Sequence, residues 1–219
     1  MTDPVSFVHA NTVLSVPSLV PDIRLHLATE ILPLWSKTEA EIEKSGLPPP
    51  YWAFAWAGGQ ALARYVLDHP EIVRGRSVLD FGSGSGIVAI AAAKGGAASV
   101  LAADIDAFAA AAIRLNATAN AVVIDVRQDD VLDGACVWDT VLVGDMCYER
   151  PLAERLLEWL TKAARRGTAV LLGDPGRSYF PKSGIEKLAR YQVQTLRDLE
   201  DRDVRETAVY RLLSRPSPG

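Results

Sequence analysis

The sequence predicts an α/β protein: a doubly wound parallel sheet flanked by helices, preceded by an N-terminal extension. Three observations carry this expectation. From Arg76 onward, short β-rich apolar runs alternate with helical stretches, many of them rich in alanine. The successive strand-like runs bring carboxylates at or near their carboxyl ends. The first strand-to-helix connection carries Gly82, Gly84 and Gly86. With 219 residues, 49% of them hydrophobic and 7% aromatic, the chain can build one sizeable core and is short for two independent domains.

Residues 1–50 mix Pro17, Pro21, Pro33 and the run Pro48-Pro49-Pro50 with short apolar pieces, including the alternating IRLHLA at 23–28. TEAEIEK at 38–44 reads as a polar helix. This zone is expected to be a cap or substrate-facing extension, leaving 51–219 as the main domain. There SVLDF (77–81) precedes the helical IVAIAAAK (87–94), and SVLAAD (99–104) precedes AFAAAAIRLNATAN (107–120). VVIDV (122–126), a loop and DTVLVGD (139–145) follow. The helix PLAERLLEWLTKAA (151–164) has Pro151 at its first position, and leads to TAVLLGD (168–174). YQVQTLRDL (191–199) and ETAVYRLL (206–213), joined by the charged turn EDRDVR, form a final pair.

Composition excludes several classes. A net charge of −4 gives no general attraction to phosphate backbones, so nucleic acid is not the default partner. Cys136 and Cys147 form no CxxC and no cluster with His9, His26 or His69, which argues against a metal site and a disulfide scaffold. The start MTDPVSFVHANT lacks a signal-peptide apolar block and the arginines of a mitochondrial presequence, and no uncharged apolar stretch is long enough to cross a bilayer. A soluble, cytoplasmic protein is expected, with no membrane partner.

Parallel α/β sheets bind ligands at the carboxyl ends of their strands. Asp80, Asp104, Asp129, Asp130, Asp145 and Asp174 fall there. A carboxylate at a buried strand tip is costly unless it meets a donor or a cation. Any one of them reads equally well as a helix cap or loop acid, but their repetition points to a shared polar cleft. The loop VLDFGSGSGIVAI (78–90) lets backbone approach a ligand at a helix N-terminus. It is not a dinucleotide fingerprint, because the third glycine of GxGxxG falls on Ile87, and no Gly-Lys-Ser/Thr follows. Asp80 would also repel a pyrophosphate. S-adenosylmethionine fits better, with its cationic amino and sulfonium groups, ribose hydroxyls and adenine amine.

Asp80-Phe81-Gly82-Ser83-Gly84-Ser85-Gly86 resembles the first motif of class I methyltransferases. That resemblance implies a Rossmann-like seven-stranded sheet whose last strand is antiparallel. It also implies that Asp80, Gly82, Ser83, Gly84 and Gly86 lie against the methionine part, and that Asp104 and Ile105 lie at the ribose. Asp129 or Asp130 would accept from the adenine amine. The fourth strand ends in Asp145-Met146-Cys147-Tyr148, without the prolines of the Asn/Asp-Pro-Pro-Tyr motif that holds planar nitrogens.

Asp-x-x-Tyr at this place resembles the family-16 class I protein lysine methyltransferases. PPPYWAFAWAGGQALARYVLD (48–68), GDMCY (144–148) and GDPGRSYF (173–180) together look like the lysine methyltransferases that modify the β subunit of electron transfer flavoprotein. Cys147 departs from the aromatic of vertebrate relatives. The resemblance implies S-adenosylmethionine as cofactor, a protein substrate, cofactor contact by Trp56, and an acceptor site at Asp145 and Tyr148. Asp145 would capture and orient the amine, while Tyr148 would hydrogen-bond the carboxylate or wall the channel. Asp174 and Arg177 either form a plain turn or line the substrate entrance, with Arg177 pairing an acid on the target. Cys147 reads as a pocket filler, with no histidine placed to activate it. A different protein target, a small amine, or a cofactor-binding scaffold without catalysis are the competing readings.

Overall fold

The computed structural model describes residues 3–29, 49–195 and 203–214. The helix expected at 38–44 and part of the charged turn at 200–205 lie outside them. The chain opens with α1 (Pro4–Asn11), capped by the Asp3 carboxylate on the Ser6 N–H, and a two-stranded antiparallel ribbon of β1 (Val13–Ser15) and β2 (Leu25–Leu27). After a 3-10 turn at Tyr51–Ala53 comes α2 (Ala57–Asp68). Alternation then begins: β3 (Ser77–Phe81), α3 (Ile87–Lys94), β4 (Ser99–Asp104), α4 (Ala107–Ala119), β5 (Asp125–Gln128), β6 (Thr140–Gly144), α5 (Arg150–Arg165) and β7 (Ala169–Asp174). The long strands β8 (Ile185–Gln194) and β9 (Val204–Leu212) close the fold.

These seven strands form one sheet in the order β5-β4-β3-β6-β7-β9-β8. β3 to β7 pair in parallel, while β9 runs antiparallel to both β7 and β8. This is the Rossmann-like class I sheet, with its last strand reversed between two others. The strand order turns back at β3 and β6, where parallel sheets open a crevice.

Successive side chains along a strand face opposite ways, and the core divides accordingly. Val78, Ala102, Leu142 and Leu171 pack toward α2 and α3. Leu79, Ala103, Val141, Val143 and Leu172 pack toward α5. α5 contributes Leu156, Trp159, Leu160 and Ala163, an apolar stripe at helical spacing. Asp80 falls on the α2/α3 side, which sets up its role below.

Two strand boundaries differ from the sequence reading. The third strand is Asp125–Gln128, not 122–126. Ala121 adopts a left-handed φ of 53°, and the Val122 N–H bonds back to the Ala117 carbonyl, so the apolar run is spent closing α4. The strand itself, on the sheet edge, is mostly polar. β8 begins at Ile185 rather than Tyr191, with a register shift between Lys187 and Ala189. Among the described residues, no helix is long and apolar enough to cross a membrane.

Candidate active site

The carboxyl ends of β3, β4 and β6 open into a cavity of about 410 Å³. That volume lies in the usual range for small-molecule sites. One end of the cavity is built on the glycine loop. Gly82, Gly84 and Gly86 have φ of 62°, 53° and 81°, a left-handed backbone that side chains rarely adopt. A Cβ on Gly82 would collide with the Met146 sulfur.

Two carboxylates hold this loop in place. Asp80, 1% exposed, accepts from the Ser83 hydroxyl at 2.5 Å and from the Ala89 N–H, in the first turn of α3, at 3.0 Å. Burial pushes its pKa up to about 7, against the pull of those two hydrogen bonds. Asp104 accepts from the Gly84 N–H at 2.9 Å and the Asp106 N–H at 3.0 Å, and burial raises it too. Ile105 is exposed beside it on the cavity wall. Asp106 caps α4 through the Phe108 N–H at 2.8 Å, and burial pushes it up to about 6.

Asp129 and Asp130 both border the cavity. The Asp130 carboxylate is engaged by the Leu132 N–H at 3.0 Å and by Arg155. Asp129 is exposed and accepts from the Asp130 N–H at 2.9 Å.

The other end of the cavity centres on Asp145. Its φ of 60° is uncommon for a residue other than glycine, and such strain clusters at functional sites. Oδ2 accepts from the Gly59 N–H at 2.8 Å, in the first turn of α2. Oδ1 accepts a fork from Arg177, Nε at 3.0 Å and Nη2 at 2.6 Å. Burial raises the Asp145 carboxyl above its ordinary value, and the Arg177 guanidinium offsets part of that rise. The guanidinium also lies 5.2 Å over the Trp56 ring. Trp56 itself donates from Nε1 to the Tyr51 carbonyl at 2.9 Å.

Tyr148 walls the cavity, its ring 5.5 Å from that of Tyr51. No hydrogen bond joins it to Asp145 among the described residues. Burial pushes its hydroxyl up to about 12, so it stays protonated at neutral pH. Cys147 is buried and likewise pushed up to about 12, first by burial and then by Asp174 and Asp145. An inert thiol follows, as a filler requires.

Asp174 and Arg177, read from the sequence as a plain turn or an entrance lining, stand at and just after the end of β7. Asp174 is 2% exposed and turns back to accept from the Gly176 and Arg177 N–H groups, both at 2.7 Å. Arg177 pairs with Asp145 and borders the cavity. Sequence reasoning also passed over Tyr51 and Asp106, which line the cavity. The aromatic run at 51–56 carried the signal for the first. For the second it was the acid just before a helical stretch.

The set of acceptors fits S-adenosylmethionine. Asp80, Asp104, Asp106, Asp129 and Asp130 surround one end with carboxylates, suited to cationic groups, hydroxyls and an amine. Sheet order, reversed last strand, glycine loop and acidic strand ends define a class I methyltransferase, an S-adenosylmethionine-dependent enzyme. A family model described as ribosomal protein L11 methyltransferase (PrmA) matches residues 60–142. The chain is 39% identical to the electron transfer flavoprotein beta subunit lysine methyltransferase of Xenopus laevis, over 95% of this chain and 87% of that one. It is 43% identical to the Homo sapiens protein of the same description, over 83% of this chain and 70% of that one. Among solved structures, a Synechocystis magnesium protoporphyrin IX methyltransferase with bound SAM shares the fold: TM-score 0.52, 15% identity, 70% of this chain and 77% of that one. The chain belongs to the family of electron transfer flavoprotein beta subunit lysine methyltransferases.

Proposed function

We propose that this protein methylates lysine ε-amines of the electron transfer flavoprotein β subunit. The observation that carries the reading is Asp145, a buried carboxylate at the end of β6 bordering the same cavity as the glycine loop. The relatives named for that substrate span nearly the whole chain. The ribosomal-type relatives match only 62% of the chain, and the family model of that type stops at residue 142, before Asp145.

Asp80, Gly82, Ser83, Gly84 and Gly86 hold the methionine end of the cofactor in this reading. Asp104 and Ile105 hold the ribose, and the Asp129–Asp130 pair accepts from adenine. Trp56 closes the cofactor side against the acceptor side. Bound S-adenosylmethionine supplies an electrophilic methyl group on a cationic sulfur. The chain's task is then to present a neutral amine with its lone pair free. A lysine of ordinary pKa, about 10.4, is neutral in only a few molecules per ten thousand at pH 7. Asp145 accepts an N–H of the amine and aims it, Tyr148 and Tyr51 wall its channel, and such positioning supplies much of the rate. The released proton passes to solvent. Asp174 sets the loop that bears Arg177, so Asp174 acts from behind the surface that meets the substrate while Arg177 borders the cavity.

Residues 1–50 serve as a cap in the same proposal: α1 backs Trp52, with Phe7 and Trp52 rings 6.4 Å apart. A protein partner suits a net charge of −4 better than nucleic acid does. Cysteines without a disulfide suit a cytoplasmic setting.

The test is methyl-labelled S-adenosylmethionine with the recombinant flavoprotein, its β subunit free and in complex, and label mapped by mass spectrometry. Methyl increments on β-subunit lysines are expected, falling at least about 100-fold in Asp145→Asn if positioning carries the rate. Label on other proteins of a lysate but none on the β subunit would reject the target.

A further inference from the structure

Asp145 on its own is a poor neighbour for a nucleophilic amine, because a lone buried carboxylate favours the ammonium form. Arg177 changes what the amine meets. Its fork engages Asp145 Oδ1 at 3.0 and 2.6 Å, while Gly59 engages Oδ2. The two side chains are 15% and 9% exposed, so solvent screens the pair little. Arg177 is itself fixed: its N–H donates to Asp174 and its guanidinium covers the Trp56 ring. Both partners border the cavity. An incoming amine therefore faces a paired carboxylate with lone pairs still able to accept, rather than a bare anion; the other ionisable groups around the pair are Asp174, a buried acid that Arg177 also offsets, and the protonated Cys147 and Tyr148.

Resting on the lysine methyltransferase reading, we infer that Arg177 is a positioning residue: it cancels the charge of Asp145 while leaving the carboxylate as acceptor, so the target lysine reacts as a neutral amine. In this step the lysine Nζ loses one proton to bulk water, and one remaining N–H donates to Asp145. The lone pair left by the departed proton stays free for bond formation. Asp174 fixes the Arg177 backbone and Trp56 lies against the guanidinium.

The experiment is the pH dependence of kcat and KM for the flavoprotein β subunit, in wild type, Arg177→Gln and Arg177→Lys, between pH 6 and 9.5. Removing the guanidinium leaves Asp145 bare, and one nearby charge moves a pKa by about 1–3 units. The rising limb of kcat in Arg177→Gln is expected to move up by at least about one pH unit. Its kcat at pH 7 falls about tenfold or more and recovers at high pH, with KM unchanged or lower because the ammonium now binds well. Arg177→Lys keeps the charge and the wild-type limb while losing rate at every pH. Affinity for S-adenosylhomocysteine, measured alongside, shows that each variant is folded. In Arg177→Gln, a kcat lowered equally at all pH values, or a raised KM alone, overturns the assignment. Wild-type enzyme that labels no β-subunit lysine overturns the functional reading instead.

Discussion

At the scale of single residues, the site is made of carboxylates that are engaged before any ligand arrives. Asp80, Asp104 and Asp145 each accept a backbone N–H, and two of those lie in the first turn of a helix. There the macrodipole favours negative charge. Asp80 still carries the clearest pH signature, because burial lifts it from 3.8 to about 7. A raised acid stabilises the fold fully below its unfolded value of 3.8, and this contribution is lost as pH rises to about 7. A ligand amino group brought against it reverses the preference by favouring the ionised form. Binding must then expel a proton below pH 7, and affinity for S-adenosylhomocysteine should fall about tenfold from pH 7.5 to pH 6. Calorimetry in two buffers of different ionisation enthalpy reads the proton directly. Asp106, lifted to about 6, titrates nearby, so Asp80→Asn is the control that assigns the slope. A slope of the same size in that variant would give the proton to another group.

At the scale of elements, the acceptor end depends on how closely α2 lies across β6 and β7. A Cβ on Gly58 would overlap the Gly173 carbonyl and the Asp145 carboxylate, and one on Gly144 would stand 3.0 Å from the Gly59 Cα. One on Gly59 would meet only the Ile87 Cγ2, at 3.4 Å. Gly58→Ala should therefore lose about 1–3 kcal/mol in urea unfolding, through overpacking, and lose methyl transfer with it. Gly59→Ala should stay within about 1 kcal/mol of wild type, since alanine suits a helix better. Equal losses would mean that the close approach at Gly58 is not what limits the site. Such contacts explain what the sequence could and could not disclose. β3, β4, β6 and β7 are apolar runs with an acid at or next to their carboxyl ends, and the glycine loop is local, so all were legible. β5 was misplaced because its residues, Asp125 to Gln128, are mostly polar while the apolar run before it closes a helix. The fork between Arg177 and Asp145 joins residues 32 apart. Only the parallel pairing of β6 with β7 brings their loops together, so no local pattern could announce it.

At the scale of the molecule, the N-terminal segment contributes to the same core as the sheet. Val20, Ile23 and Leu25 are fully buried in the cluster that includes α2, α3 and Val78. Val8 is fully buried beside Trp52 and α4. Backbone ties reinforce this: Asn116 accepts from the His26 N–H at 2.7 Å and donates to the Ser85 carbonyl at 2.8 Å, linking β2 to the glycine loop through α4. Burying four such side chains stabilises by about 6–12 kcal/mol together, as much as a typical domain's whole stability of about 5–15 kcal/mol. A chain begun at residue 29 should therefore show no cooperative thermal transition and no S-adenosylhomocysteine binding, although β3 to β9 and all the proposed site residues are retained. Asn116→Ala is the milder probe. It leaves the His26 N–H and the Ser85 carbonyl without their partner and should lower stability by about 1–3 kcal/mol. It should also weaken cofactor-product binding, because Ser85 lies within the glycine loop. A truncated chain that melts cooperatively and binds would show that the first 28 residues are an accessory to a domain already complete without them.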